Sequence, residues 1–285
     1  MLCAMFLFAA GDTLAKLLTD VFHPIQIIWF RQSGLLFGVL LYLAIRGVSI
    51  LHTKQPALQM TRGVLVVLSS LIFVFAVRYA PLADAIAASF VAPFFVTILG
   101  AVLLKEKVGV HRWTAVVVGF VGALIIIRPG MGVIHPAVML VVIAAALFST
   151  RQVIGRLLAD TDKTITTITY TALTASLVIT LPLPWVWQMP ESAKHWVMLA
   201  LLGISAAIAE VLVIRAMEVA EVAVIAPIHY TIIIWATVYG FLVFNQLPDI
   251  WTFIGTAIII FAGFYTLKRG KLMHSSRSNA EQDEH

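Results

Sequence analysis

Apolar residues run along this chain in blocks, and two stretches repeat one layout. In Arg78–Gly130, the apolar runs Leu82–Leu104 and Val110–Ile127 flank a charged hinge, Lys105-Glu106-Lys107. In Ile214–Gly270, two apolar runs flank the polar break Asn245-Gln246 and end at Lys268-Arg269-Gly270. Ten apolar segments can be marked in all, at about 1–19, 24–45, 62–80, 82–104, 110–128, 136–157, 165–187, 193–215, 220–244 and 249–268. Most match the roughly 20 residues a helix needs to cross the hydrocarbon of a bilayer. Backbone in lipid must satisfy its own hydrogen bonds, and runs such as Val116–Ile127 lack the alternation of a barrel strand, so each segment is predicted to be a helix. The third is the shortest in apolar content, between Arg62 and Arg78, and both arginines are expected to snorkel to the interfaces.

The two layouts align when the sequence is slid by 140 residues. Lys16-Leu17-Leu18-Thr19-Asp20 falls on Arg156-Leu157-Leu158-Ala159-Asp160, Thr97 on Thr237, Gly100 on Gly240, Glu106 on Gln246 and Gly130 on Gly270. Coincident charges and glycines at one offset argue for duplication. Five spans per copy is an odd number, so the second copy enters the membrane from the opposite side. The predicted fold is therefore an all-α integral membrane protein: ten transmembrane helices in two inverted five-helix repeats, 1–130 and 131–270. A polar tail, 271–285, is expected to be disordered in the cytoplasm.

Composition narrows the class. Of 285 residues 61% are hydrophobic and 12% charged, too few charges to cover a soluble domain of this size. The net charge of +5 does not point to nucleic acid, because the basic residues cap the apolar runs. With the N-terminus inside, the outer links hold Arg78, Arg128 and Lys194, and Lys16 and Arg31 lie within spans. The remaining fourteen of the 19 Lys and Arg fall on cytoplasmic links and the tail. Both termini are thus expected to be cytoplasmic, in the inner membrane. The first segment, Leu2–Leu18, has no basic leader and no small-residue cleavage site and reads as a span. The single cysteine, Cys3, reads as a small hydrophobe; neither a metal site nor a cofactor is expected.

Several stretches together resemble the drug/metabolite transporter superfamily, in its ten-span branch with two EamA-type repeats. They are Ala85–Pro93, Leu104-Lys105-Glu106-Lys107, Trp113 to Arg128-Pro129-Gly130, Ala226–Thr231 and Gly240 through Asp249, together with the opening from Ala4 through Gly11-Asp12 to Lys16. The resemblance implies a secondary carrier of a small organic metabolite, with amino acids, riboflavin-like vitamins and adenosyl metabolites as substrate classes. The expected partners are that solute and the lipid bilayer, with no nucleic acid; a monomer is compatible with this reading. The chain departs from the family's usual Glu at Gln246 and at His229.

Ionisable groups inside a bilayer cost about 2.5–3.5 kcal/mol each on insertion scales, so a chain that keeps them needs partners or a wet cavity. Asp12 and Lys16 share a helix face, and Arg31 lies near the depth of Lys16, so the three form a candidate outer polar cluster for a carboxylate or zwitterion head. The alternative is a structural ion pair. Arg151 and Glu210 are a candidate inner gating pair, or packing contacts. His229, beside Tyr230 and Thr231, titrates near neutrality and is a candidate proton carrier or a hydrogen-bonded structural residue. Pro93 and Pro227 interrupt spans four and nine and free carbonyls at Ser89 and Ala223, either lining a cavity or only kinking the helix. Trp29, Phe30, Trp235 and Tyr239 are the aromatics placed to stack on a solute, or to anchor at the interface.

A secondary transporter working by alternating access is the expected function. No nucleotide-binding loop is present. An intramembrane enzyme is the alternative class, where an aspartyl protease would need two facing Asp residues and Asp12 has only Asp84, near a span end, as a partner, and no Gly-x-Ser-Gly occurs; a non-transporting scaffold or receptor is the third. No enzyme activity is expected.

Overall fold

The computed structural model describes residues 1–105, 109–127, 137–159, 161–219, 228–262 and 264–265. The hinge residues Glu106 and Lys107, Pro227 and the tail 271–285 lie outside the described residues. Those described are helical or in short links, with no strand among them. The helices are α1 Leu2–Leu18, α2 Pro24–Arg46, α3 Pro56–Tyr79, α4 Leu82–Ser89, α5 Ala92–Leu103, α6 Val110–Ile127, α7 Ala137–Ala159, α8 Thr164–Thr180, the single turn α9 Leu183–Val186, α10 Ala193–Val219, α11 Ile232–Phe244 and α12 Ile250–Ala262. Among the described residues, five stretches are long and apolar enough to cross a membrane: α2, α3, α4 with α5, α7, and α10 over Ala193–Val213. Shorter apolar helices accompany them, among them α8, α11 and α12.

The outer surface is what a membrane requires. Phe37 and Ile45 are each 71% exposed, Phe261 75% and Trp185 83%. No water-facing surface carries large side chains at that density, whereas lipid does. The interior is made of small residues, with Ala76, Ala80, Ala85, Ala87 and Ala88 fully or nearly fully buried where α3 and α4 meet. Small residues let helix backbones approach, the main source of association when lipid is as apolar as the core.

Several close crossings depend on this. A Cβ at Gly34 of α2 would lie 2.2 Å from the Gly203 carbonyl oxygen of α10, and one at Gly63 of α3 would lie 2.6 Å from the Thr174 Cβ of α8. On α6 and α12, Gly122 and Gly255 face each other's carbonyl oxygens in the same way. The first two crossings exchange under the 140-residue offset, since Gly34 corresponds to Thr174 and Gly63 to Gly203. The wider packing exchanges too: α1 packs on α10 as α3 packs on α7, and α2 on α10 as α3 on α8.

Three boundaries differ from the hydrophobic pattern. Helix α3 begins at Pro56, six residues before the apolar run, with proline at its first position. Its polar first turns are satisfied inside the protein, where the Gln59 amide donates to Asp162 and to Thr167. Arg62 is consequently drawn into the bundle, where its guanidinium donates to the Thr171 hydroxyl. That corrects the expectation that it snorkels to an interface. The fourth segment divides at Phe90-Val91, just before Pro93, into α4 and α5. The seventh ends as a helix at Thr180, before Pro182 and Pro184, and α9 follows it.

Two groups of links gather at opposite ends. At one end, Lys16, beside the 19–23 link, reaches Ala80 and Gln246, and Gln26 exchanges two hydrogen bonds with the backbone of Gln188 (2.8 and 2.9 Å). At the other, Thr53 donates to Asp162 and Tyr170 to the Leu51 carbonyl (2.9 Å).

Candidate functional site

The middle of the bundle is where two helix interruptions meet. Pro93 has no N–H, so α4 ends at Ser89 and the Phe90 and Val91 amides turn back to the Ala87 and Ala88 carbonyls. The Ala92 carbonyl is taken by the Ser149 hydroxyl of α7 at 2.9 Å, so this part of the break is stitched to its neighbour. Across from it, His229, Tyr230 and Thr231 precede α11, with the Thr231 amide returning to the Ile228 carbonyl. The Phe90 and Tyr230 rings pack edge to face with centroids 5.1 Å apart. These two residues are 140 apart in sequence, the offset at which the two layouts align. His229 beside them is exposed.

The charged residues fall in layers. Towards the end that holds the 19–23 link, the Arg31 guanidinium and the Asp12 carboxylate form an ion pair at 2.7 Å, with Asp12 buried against α2. At about 1.5 Å per residue, both sit roughly 9–11 Å inside their helix ends. Lys16 does not join them. Its ammonium donates to the Ala80 carbonyl at 2.6 Å and to Gln246 Oε1 at 3.2 Å, and lies 4.9 Å from the centre of the Phe244 ring. Near it, the Thr252 hydroxyl donates to Asp84 at 2.9 Å. Asn245, left-handed at φ 54°, closes α11 and turns Gln246 towards Lys16. Lys105, left-handed at φ 53°, is the equivalent position of the first half.

On the opposite side, Arg62, Arg151 and Glu210 approach from α3, α7 and α10. Arg62 lies against Gly155, one turn beyond Arg151. The Arg151 guanidinium sits 4.6 Å from the Phe148 ring centre, and the charge of Glu210 acts on both arginines. Neither arginine forms an ion-pair contact with Glu210 among the described residues, and both Nε atoms are buried without a hydrogen-bond partner.

The aromatic candidates separate. Trp235 packs against Phe6 at 5.1 Å, with Tyr239 alongside. Trp29 instead donates to the Thr180 hydroxyl at 2.9 Å and joins Phe30 and Trp187 near the N-terminal end of α2. Sequence reasoning brought Asp12 and Arg31 together and recognised Arg151, but missed Arg62, Thr171, Phe90 and the tie from Lys16 to Gln246. The proline at the start of α3, six residues before Arg62, was the signal for the first of these.

An apolar crevice of about 220 Å³ lies between α11 and α12, lined by Ile233, Thr237, Pro248 and Thr256. No group of metal-ligating side chains occurs among the described residues.

Sequence comparison matches residues 1–128 and, separately, 135–267 to the EamA-like transporter family. The chain belongs to the EamA-like transporter family. One relative, the S-adenosylmethionine uptake transporter of Rickettsia prowazekii (strain Madrid E), is 24% identical over 271 residues, covering 95% of this chain and 92% of that protein. The riboflavin transporter of Vibrio cholerae serotype O1 is 30% identical over 267 residues, covering 91% and 89%. The pseudopaline exporter CntI of Pseudomonas aeruginosa (strain UCBPP-PA14) is 27% identical over 263 residues, covering 91% of each. A protein of known crystal structure matches with a TM-score of 0.62 at 17% identity, over 95% of this chain and 98% of that one, and so shares the fold. As an EamA-like transporter built of apolar helices, the protein is a multi-pass membrane protein.

Proposed function

We propose that this EamA-like transporter is a secondary carrier of a small organic metabolite in the inner membrane, with N- and C-termini cytoplasmic. Its two five-helix halves, 1–130 and 131–270, are inverted repeats that rock about a central site to expose it to either side. The observation that carries this reading is the exchange of packing under one offset. The crossing of Gly34 on Gly203 is matched by that of Thr174 on Gly63, and the left-handed residues Lys105 and Asn245 are equivalent. Phe90 meets its own equivalent, Tyr230, where an axis relating the halves would run. The names of the relatives support adenosyl or riboflavin-like substrates and favour transport over an enzyme or a scaffold, and amino acids are the third class the family resemblance implies.

In this scheme Lys16, Ala80 and Gln246 latch the outer side, and Asp12 and Arg31 brace α1 against α2. The solute meets the break at Pro93, Phe90, Tyr230 and His229, with Trp235 beside it. Arg151 and Glu210 stand on the inner side.

Purified protein in liposomes should accumulate S-adenosylmethionine, riboflavin or an amino acid in a saturable manner when the unlabelled solute is trapped inside. Liposomes that move none of these solutes, with protein that is folded and inserted, would remove the proposal.

A further inference from the structure

The geometry points to Arg62 and Arg151 as the binding subsite for a carboxylate group of the solute, and hence to a carboxylate-bearing metabolite as the substrate class; this rests on the carrier reading above. The two charged layers differ in one respect. On the outer side, one cation meets one anion at 2.7 Å, and the pair is satisfied. On the inner side, two guanidinium groups share a single carboxylate, Glu210, without contact to it.

Depth makes these three residues one layer. Arg62 is six residues from the start of α3, Arg151 eight from the end of α7 and Glu210 nine from the end of α10. At about 1.5 Å per residue, that is roughly 9–14 Å from the helix ends, so the three stand at similar heights in the bundle. An uncompensated positive charge there is unfavourable, and a bound anion removes that cost.

The donors are also unsatisfied. Arg62 spends one terminal nitrogen on Thr171, whose hydroxyl in turn donates to the Thr167 carbonyl at 2.7 Å. That holds the guanidinium in place and leaves its Nε–H unused. Arg151 is held by the Phe148 ring, and its Nε–H is likewise unused. Planar guanidinium forks with free N–H groups match the two oxygens of a carboxylate. Glu210 on the same layer suits an ammonium group next to that carboxylate, as in an α-amino acid. A neutral flavin ring system offers neither group.

Binding to the full-length protein in detergent, read by thermal shift, tests this with matched pairs. The probes are α-amino acids and S-adenosylmethionine, their carboxyl methyl esters or amides, and riboflavin as a solute without a carboxylate. The expected result is stabilisation by one or more acids, with affinity reduced roughly tenfold or more in the matched ester or amide, the scale of a hydrogen bond to a charged group. Arg62→Gln and Arg151→Gln should each remove the difference between acid and ester. The wild-type comparison needs no variant, so poor folding of either does not decide the matter. Equal binding of acid and ester, or stabilisation by riboflavin and by no carboxylate, overturns the inference. Saturable riboflavin transport alongside that result would leave the carrier reading standing, whereas absence of any flux would remove both.

Discussion

Lys16 and Gln246 are 230 residues apart, yet the lysine ammonium lies 3.2 Å from the glutamine Oε1 while donating to the Ala80 carbonyl at 2.6 Å. One side chain thus ties α1, the link before α4 and the link after α11. Because α1 and Ala80 belong to the first half of the chain and Gln246 to the second, the contact holds the halves together at one end of the bundle.

Gln246→Glu should strengthen this tie by turning a neutral hydrogen bond into an ion pair. A partly exposed pair is worth about 0.5–1 kcal/mol, so the melting temperature should rise and flux should fall roughly 2–5-fold as outer opening slows. Lys16→Met should lower the melting temperature. Stability and liposome flux measured on both variants check this; a glutamate variant with faster flux would contradict the latch.

Asp12 and Arg31 predict a non-additive pair. Arg31→Gln leaves the buried Asp12 carboxylate unpaired and should destabilise the protein by about 3–5 kcal/mol. Adding Asp12→Asn should recover most of that loss, as read by fluorescence-detected melting. Flux should return with the folded protein. Flux that stays absent in a well-folded double variant would make Arg31 a solute contact instead of a brace.

The crossing of α2 on α10 predicts a sharp positional contrast. Gly34→Val puts a side chain where only 2.2 Å separates its Cβ from the Gly203 carbonyl, and backbone cannot move aside as a flexible side chain can. The yield of folded protein should collapse, beyond the about 1–3 kcal/mol of ordinary overpacking. One turn along, Gly38 has nothing within 4 Å, and Gly38→Ala should be neutral or slightly stabilising.

At the opposite end of the bundle, hydrogen bonding from the Thr53 hydroxyl, with help from the Gln59 amide, holds the Asp162 carboxyl below its ordinary range. A depressed folded-state value contributes stability that is present above the unfolded value of about 3.9 and is lost as pH falls through the folded one. Thr53→Ala should therefore lower the melting temperature at neutral pH. That difference should shrink towards zero as the pH drops below about 4. A difference that is unchanged across this range would contradict the assignment.

The hydrophobic blocks made the helical class, the position of most helices and the membrane setting legible. They did so because apolar length is dictated directly by the bilayer. Helix starts were less visible. The polar residues Gln59 and Arg62 ended the apolar run, but their partners Asp162, Thr167 and Thr171 come from over 100 residues away and let the helix continue. The site was legible where partners sit at matching depths on adjacent helices, as with Asp12 and Arg31. It was hidden where a residue reaches across halves, as Lys16 does to Gln246. The glutamine there, once only a departure from the usual glutamate, is the acceptor in the outer tie. The proline at 93 announced the break in the fourth span, while its aromatic partner, Tyr230, emerges only when the halves are folded against each other.

The central claim is that a central site is exposed to the two sides in turn. Counterflow in proteoliposomes tests it most directly, with unlabelled solute trapped inside and labelled solute outside. The account predicts transient accumulation of label above its equilibrium level, saturating with solute concentration and reduced by Gln246→Glu. Entry that is linear in concentration and indifferent to trapped solute would contradict it.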